Sequence, residues 1–189
     1  MSTDDIPPIT LELADGRLHL RPWQDRDAVA LFDAARESIT GVGRWLPWCH
    51  ADYSRNDAAA WIAYCQTGWL SGEHFAFPVF DATTGELLGG AGLNQRNRLH
   101  RSANMGYWVR QSRQGQGVAA AASRLVAGFG FQWLGLARIE IVVLTDNRPS
   151  LRTAEKIGAR FEGIARQRLC TRAQPEDAAI YGLMPADLR

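Results

Sequence analysis

Gln114-Gly115-Gln116-Gly117-Val118-Ala119 is the stretch of the chain best suited to hold a ligand. It follows Gly106-Tyr107-Trp108-Val109-Arg110, which reads as a strand, and opens into residues 120–127, which read as a helix. A helix N-terminus carries unpaired N–H groups and a partial positive charge, so it attracts anions. Glycines let that backbone approach a ligand with no Cβ in the way. The expected ligand therefore carries phosphate. A triphosphate-binding loop needs Gly-Lys-Ser/Thr, and here Val118-Ala119 follows Gly117. A dinucleotide fingerprint is formally present as Gly115-x-Gly117-x-x-Ala120. Its context is wrong: antiparallel strands precede it, and Glu140 falls near the start of the next strand rather than its end.

The elements that must position this turn can be read in order. Residues 1–8 read as a loose tail and residues 9–189 as one domain. Leu11, Leu13, Leu18 and Leu20 alternate around Asp15-Gly16, a hairpin signal. Asp25 or Asp27 can cap a helix through Ala28, Leu31, Phe32 and Ala35. Arg44-Trp45-Leu46-Pro47-Trp48-Cys49-His50 lies in a long irregular stretch; aromatic-rich loops of this length suit a binding wall. Ser54 opens a second helix carrying Ala58, Trp61, Ile62, Cys65 and Trp69. Three strands follow as a meander: 75–80, 87–93 and 102–110. After the glycine turn and its helix, residues 138–144 read as a buried strand. Asn147, Pro149 and Ser150 start a short helix stopped by Gly158. Residues 161–169 and 179–184 read as the last strands, with Pro175-Glu176-Asp177 as a break.

Composition narrows the classes. The chain has 189 residues and a formal charge of +1, which gives no reason to expect nucleic acid or an anionic membrane as partner. Cys49, Cys65 and Cys170 are odd in number and widely spaced, so neither a disulfide framework nor a zinc site is expected. His19, His50, His74 and His100 show no ligand spacing, and no metal is expected. The start lacks a signal-peptide pattern, and no apolar run reaches membrane-spanning length. A cytoplasmic protein is the resulting expectation, and a homodimer is compatible with it.

Gln114-x-x-Gly117-x-Ala119 resembles the acyl-CoA signature of the GNAT acetyltransferases, Gln/Arg-x-x-Gly-x-Gly/Ala. The ordered set around it is similar to the branch that acetylates ribosomal-protein N-termini. That set includes Leu20-Arg21-Pro22, Trp45-Leu46-Pro47-Trp48, Gly106-Tyr107-Trp108-Val109, Asn147-x-x-Ser150, Lys156 to Gly163, and Asp177-x-x-x-Tyr181. The resemblance spans residues 17–184. Asn104 stands where the family usually carries Glu.

The resemblance implies an α/β (α+β) GNAT fold: a mixed, mostly antiparallel, bent sheet with splayed central strands and flanking helices. It implies acetyl-CoA as co-substrate, with pyrophosphate on Gln114 to Ala119 (Gln116 and Val118 included). Pantetheine would lie along Trp108, Val109 and Arg110, with Asn147 hydrogen-bonding the same arm. Ser150 would hold or protonate the leaving sulfur. Glu162 would act as base on the amine, directly or through water. Trp45, Trp48 and His50 would face the acceptor. The expected reaction is direct acetyl transfer to a primary amine, foremost a protein N-terminal α-amine. A small-molecule amine, such as an antibiotic, polyamine or amino acid, and a non-catalytic CoA-binding sensor remain as alternatives.

Overall fold

The computed structural model describes residues 6–171 and 174–188. Its sheet has eight strands in the order β1-β2-β3-β4-β5-β6-β8-β7. In chain order these are β1 (Leu13–Ala14), β2 (Leu18–Leu20), β3 (Phe75–Asp81), β4 (Leu87–Asn97), β5 (Ser102–Val109), β6 (Arg138–Leu144), β7 (Arg160–Cys170) and β8 (Pro175–Leu183). The helices are α1 (Ala28–Glu37), α2 (Arg55–Ser71), α3 (Val118–Gln132) and α4 (Arg148–Lys156). All neighbours are antiparallel except β5 and β6. Those two are joined through the α3 crossover that a parallel pair requires. No helix among the described residues is long and apolar enough to cross a membrane.

Side-chain alternation along β3 assigns the helices to faces. Phe75, Phe77 and Val79 join the larger core with Trp69 and Phe129. Trp69 and Phe129 both sit within 6 Å of Phe75 and Phe77, ring centre to ring centre. Ala76 and Phe80 point the other way and pack with Leu31, Ala35, Ala58 and Ile62 under α1 and α2. The sheet is thus covered by α3 on one face and by α1 and α2 on the other.

Several expectations shift by a residue or two. The hairpin bends at Gly16 and Arg17, because Asp15 N still pairs with Leu18 O and the Asp15 carboxylate accepts from Arg17 and Leu18 N–H. Pro175 does not break the final strand. It is the first residue of β8, a position where its missing N–H is tolerated. The expected tail is loose only on paper at residues 6–8: Pro7 O accepts the buried Trp69 indole N–H at 2.8 Å. The rest of that tail lies outside the described residues.

Asp27 was a candidate cap, but its carboxylate has other partners. It takes two bonds from Arg21, both 2.8 Å, and a third from Gln24 N–H at 2.9 Å. Asp27 is 5% exposed, so its loss would strand the Arg21 guanidinium. Asp27→Ala is expected to lower unfolding free energy by about 3 kcal/mol or more, since breaking a buried pair leaves an uncompensated charge. Urea denaturation of the variant checks this, and a change below 1 kcal/mol would refute it.

Candidate functional site

β5 and β6 pair only at Ser102–Asn104 with Arg138–Glu140. Beyond these residues they diverge and a slot opens between them. Arg110 N–H donates to Leu88 O at 2.8 Å, which sets the phase of the β4–β5 ladder. By alternation the peptide groups of Gly106 and Trp108 bond to β4, and those of Met105, Tyr107 and Val109 face the slot. Gln114 Nε2 donates to Val109 O at 3.1 Å and ties the turn to this edge. Trp108 therefore offers its side chain rather than its backbone.

The turn itself leaves an anion cradle open. Gly115 and Gly117 have φ of +75° and +79°, a region that favours glycine, and a Cβ on either would meet nothing within 4 Å. Gly117 precedes α3, and no side chain caps that helix. The first N–H groups of α3 are thus free for a ligand. Arg17 from the hairpin holds the turn through Gln116 O at 3.0 Å. Three bonds anchor its leading edge to α1 and the loop after it. Gln111 N–H donates to Ser38 Oγ at 3.0 Å, Thr40 Oγ1 donates to Gln111 Oε1 at 2.9 Å, and Ser112 N–H donates to Glu37 at 2.8 Å.

Across the slot, Asn147 Oδ1 accepts from Ser150 N–H at 3.2 Å, so Asn147 is the cap of α4 while lining the cleft. The Ser150 hydroxyl lies 3.0 Å from Tyr107 Oη. Burial pushes the Tyr107 phenol up to about 12, so it stays a neutral hydrogen-bond partner. Arg152 and Lys156 of α4 add positive charge to this limb.

The cleft has a volume of about 950 Å³ and passes through the slot to the face covered by α1 and α2. There it is walled by Trp45, Trp48 and His50. Trp48 stands edge-on to Trp108 at 5.3 Å, which fixes the loop against β5. Trp61, Tyr64 and His74 add further aromatic surface to this limb. Its floor includes Gly92, Gly106 and the hydrogen-bonded amides of Asn94 and Asn104.

The family model for the acetyltransferase (GNAT) domain matches residues 17–160. The chain belongs to the GNAT acetyltransferases. It is 36% identical to the uncharacterized N-acetyltransferase YoaA of Bacillus subtilis, over 91% of this chain and 96% of that protein. A Vibrio cholerae structure provisionally described as a ribosomal-protein-serine acetyltransferase is 28% identical, with a TM-score of 0.84 over 94% of this chain and 99% of that one. The microcin C7 self-immunity acetyltransferase MccE, solved with acetyl-CoA and AMP, shares the fold at 18% identity and a TM-score of 0.84, over 95% and 98% of the two chains. The GNAT fold and N-acetyltransferase class expected from the motifs are therefore the protein's own.

The cleft of this GNAT domain brings together Gln114, Gly115, Gly117, Val118 and Ala119, then Asn147, Ser150, Trp108 and Val109, then Trp45, Trp48 and His50. Three expected residues lie elsewhere. Gln116 turns its side chain back to Ser112 O. Arg110 is bound to Glu37 and Glu86, so it braces the slot from behind. Glu162 pairs with Arg138 over Gly182, whose missing side chain lets β6 and β7 residues meet across β8. That ion pair lowers the Glu162 pKa, and the carboxylate is not among the cleft's walls. The Glu162 carboxylate is thus engaged with Arg138 in this structure rather than turned into the cleft.

The brace has a measurable pH signature. Hydrogen bonding to Arg110, aided by Ser112 N–H and opposed by burial, holds the Glu37 carboxyl at about 2, against an ordinary 4.5. A depressed carboxyl contributes its full stability above its unfolded value and loses it as pH falls through the folded one. Glu37→Gln should therefore destabilise the protein at pH 7 and flatten the decline in unfolding free energy between pH 4.5 and 2. Parallel denaturation series would show this, and superimposable pH profiles would refute it.

Proposed function

We propose that this GNAT protein transfers the acetyl group of acetyl-CoA to the α-amine at a polypeptide N-terminus. One observation carries the reading: a single cleft joins an uncapped helix N-terminus to a broad aromatic mouth through the gap between β5 and β6. The donor limb fits CoA. Free N–H groups at the start of α3 suit a pyrophosphate, and the outward peptide edge at Tyr107 and Val109 suits pantetheine amides in the manner of an added strand.

The amine attacks the thioester carbonyl, a C–N bond forms, and the C–S bond breaks. Slot-facing N–H groups of β5 are donors for the oxyanion. Ser150, backed by the neutral Tyr107 phenol, hydrogen-bonds the departing sulfur. A thiol has an ordinary pKa of about 8.5, so this help is modest. The proton lost by the amine passes to solvent.

The acceptor class follows from what the cleft offers as a base. Asp57 is the only carboxylate among the described residues lining it, and its pKa is lowered by bonds from Ser54. Where many relatives have Glu, Asn104 is bonded to Asn94. The amine must therefore be able to reach the cleft already deprotonated. At pH 7.5 roughly 25–40% of an α-amine is neutral, against about 0.1% of a lysine amine. The likeness to the Vibrio cholerae protein points to the same class.

Thiol release from acetyl-CoA with N-terminal peptides, amino acids and polyamines tests the proposal, with mass spectrometry locating the acetyl group. Acetyl on the α-amine, with kcat falling about ten- to a hundredfold in Ser150→Ala, is expected. Turnover of small amines alone would overturn the acceptor class. CoA binding with no turnover of any amine would make the protein a sensor.

A further inference from the structure

On α2, Asp57, Trp61 and Tyr64 fall at i, i+4 and i+7 and present one stripe to the cleft. The rings of Trp61 and Tyr64 are 5.6 Å apart, and each lies within 6 Å of the His74 ring. Both are large aromatic groups left open to solvent, at 40% and 59% exposure. His74 behind them is buried, and its Nδ1 has no hydrogen-bond partner. Burial lowers its pKa, so the imidazole is neutral at physiological pH and repels no cation. Asp57 Oδ2 accepts two bonds from Ser54, from the hydroxyl at 2.7 Å and the N–H at 2.8 Å. These bonds lower the Asp57 pKa and keep its carboxyl ionised.

The cleft is therefore polarised. Arg113, Arg152 and Lys156 stand at the donor limb, where phosphates are expected, and Asp57 is the one acidic side chain among the described residues lining the cleft. Two exposed π faces beside a fixed carboxylate attract a cation by both quadrupole and charge. An anionic acceptor side chain at this stripe would face the Asp57 carboxylate.

We propose that Asp57, Trp61 and Tyr64 form a subsite for a lysine or arginine side chain close behind the acceptor's N-terminal amine. The inference rests on the peptide N-terminus reading and deepens it: the substrates are polypeptides with a basic amino end.

The test uses peptides that share a first residue and carry Lys, Arg, Ala or Glu at positions 2 to 4. KM for the Lys and Arg peptides should be about three- to tenfold below that of the Ala peptide, the size expected of an exposed cation–π contact plus an ion pair. KM for the Glu peptide should be higher than for Ala, and the spread should shrink at high salt. In Trp61→Ala and in Asp57→Asn the Lys-to-Glu ratio should move towards one. Asp57 also completes the capping box of Ser54 at the start of α2, so Trp61→Ala, at an exposed site, gives the independent reading. Equal KM across the Lys, Ala and Glu peptides would overturn the subsite while leaving the N-terminal acceptor intact. Turnover of small amines with no peptide used would overturn both.

Discussion

Everything in this protein depends on how short the ladder between β5 and β6 is. Three residue pairs join the strands, and then the pairing stops. A continuous ladder would bond the peptide groups of Met105, Tyr107 and Val109 and leave no passage through the sheet. Because it stops, the two central strands carry unpaired backbone in the middle of the domain. Such groups are costly when buried without partners. A ligand with amides of its own relieves that cost, so the gap is both the weak line of the sheet and its reason for being.

The opening survives because its edges are held from outside. β4 keeps β5 in register on one side, and β8 keeps β6 on the other. Arg110 is clamped between Glu37 of α1 and Glu86 before β4, and Arg113 shares Glu86. Part-buried networks of this kind exceed the worth of isolated surface pairs. They also place the positive charge of Arg110 behind the slot, where it shapes the strand end without touching what lies in the cleft.

The donor limb was legible in the sequence because it is built from contiguous backbone. Gly115, Gly117 and the helix start at Val118 are one local motif, and glycine at positive φ leaves a clear trace. The acceptor limb was half legible. Trp45, Trp48 and His50 announced themselves as an aromatic loop, but Trp61 read as part of the apolar stripe of α2. The buried stripe is Ala58, Ile62, Cys65 and Trp69, and Trp61 lies one position off it, half in solvent. Tyr64 and His74 gave no signal, since their meeting depends on how α2 lies over β3. The pairing of Glu162 with Arg138 was illegible for a related reason. β7 carries a bulge between Phe161 and Gly163, and Arg138 reaches it across an intervening strand through a glycine. Neither the bulge nor a partner twenty-four positions away can be read locally.

The contacts of Gln111 make the two halves of the site interdependent. Ser38 and Thr40 begin the loop that runs on to Trp45 and Trp48, and both are bonded to Gln111, at the leading edge of the glycine turn. The acceptor wall is thus assembled upon the donor cradle rather than beside it. A change at Gln111 would therefore be felt at both ends of the cleft, since the glycine turn and the tryptophan loop share that one residue.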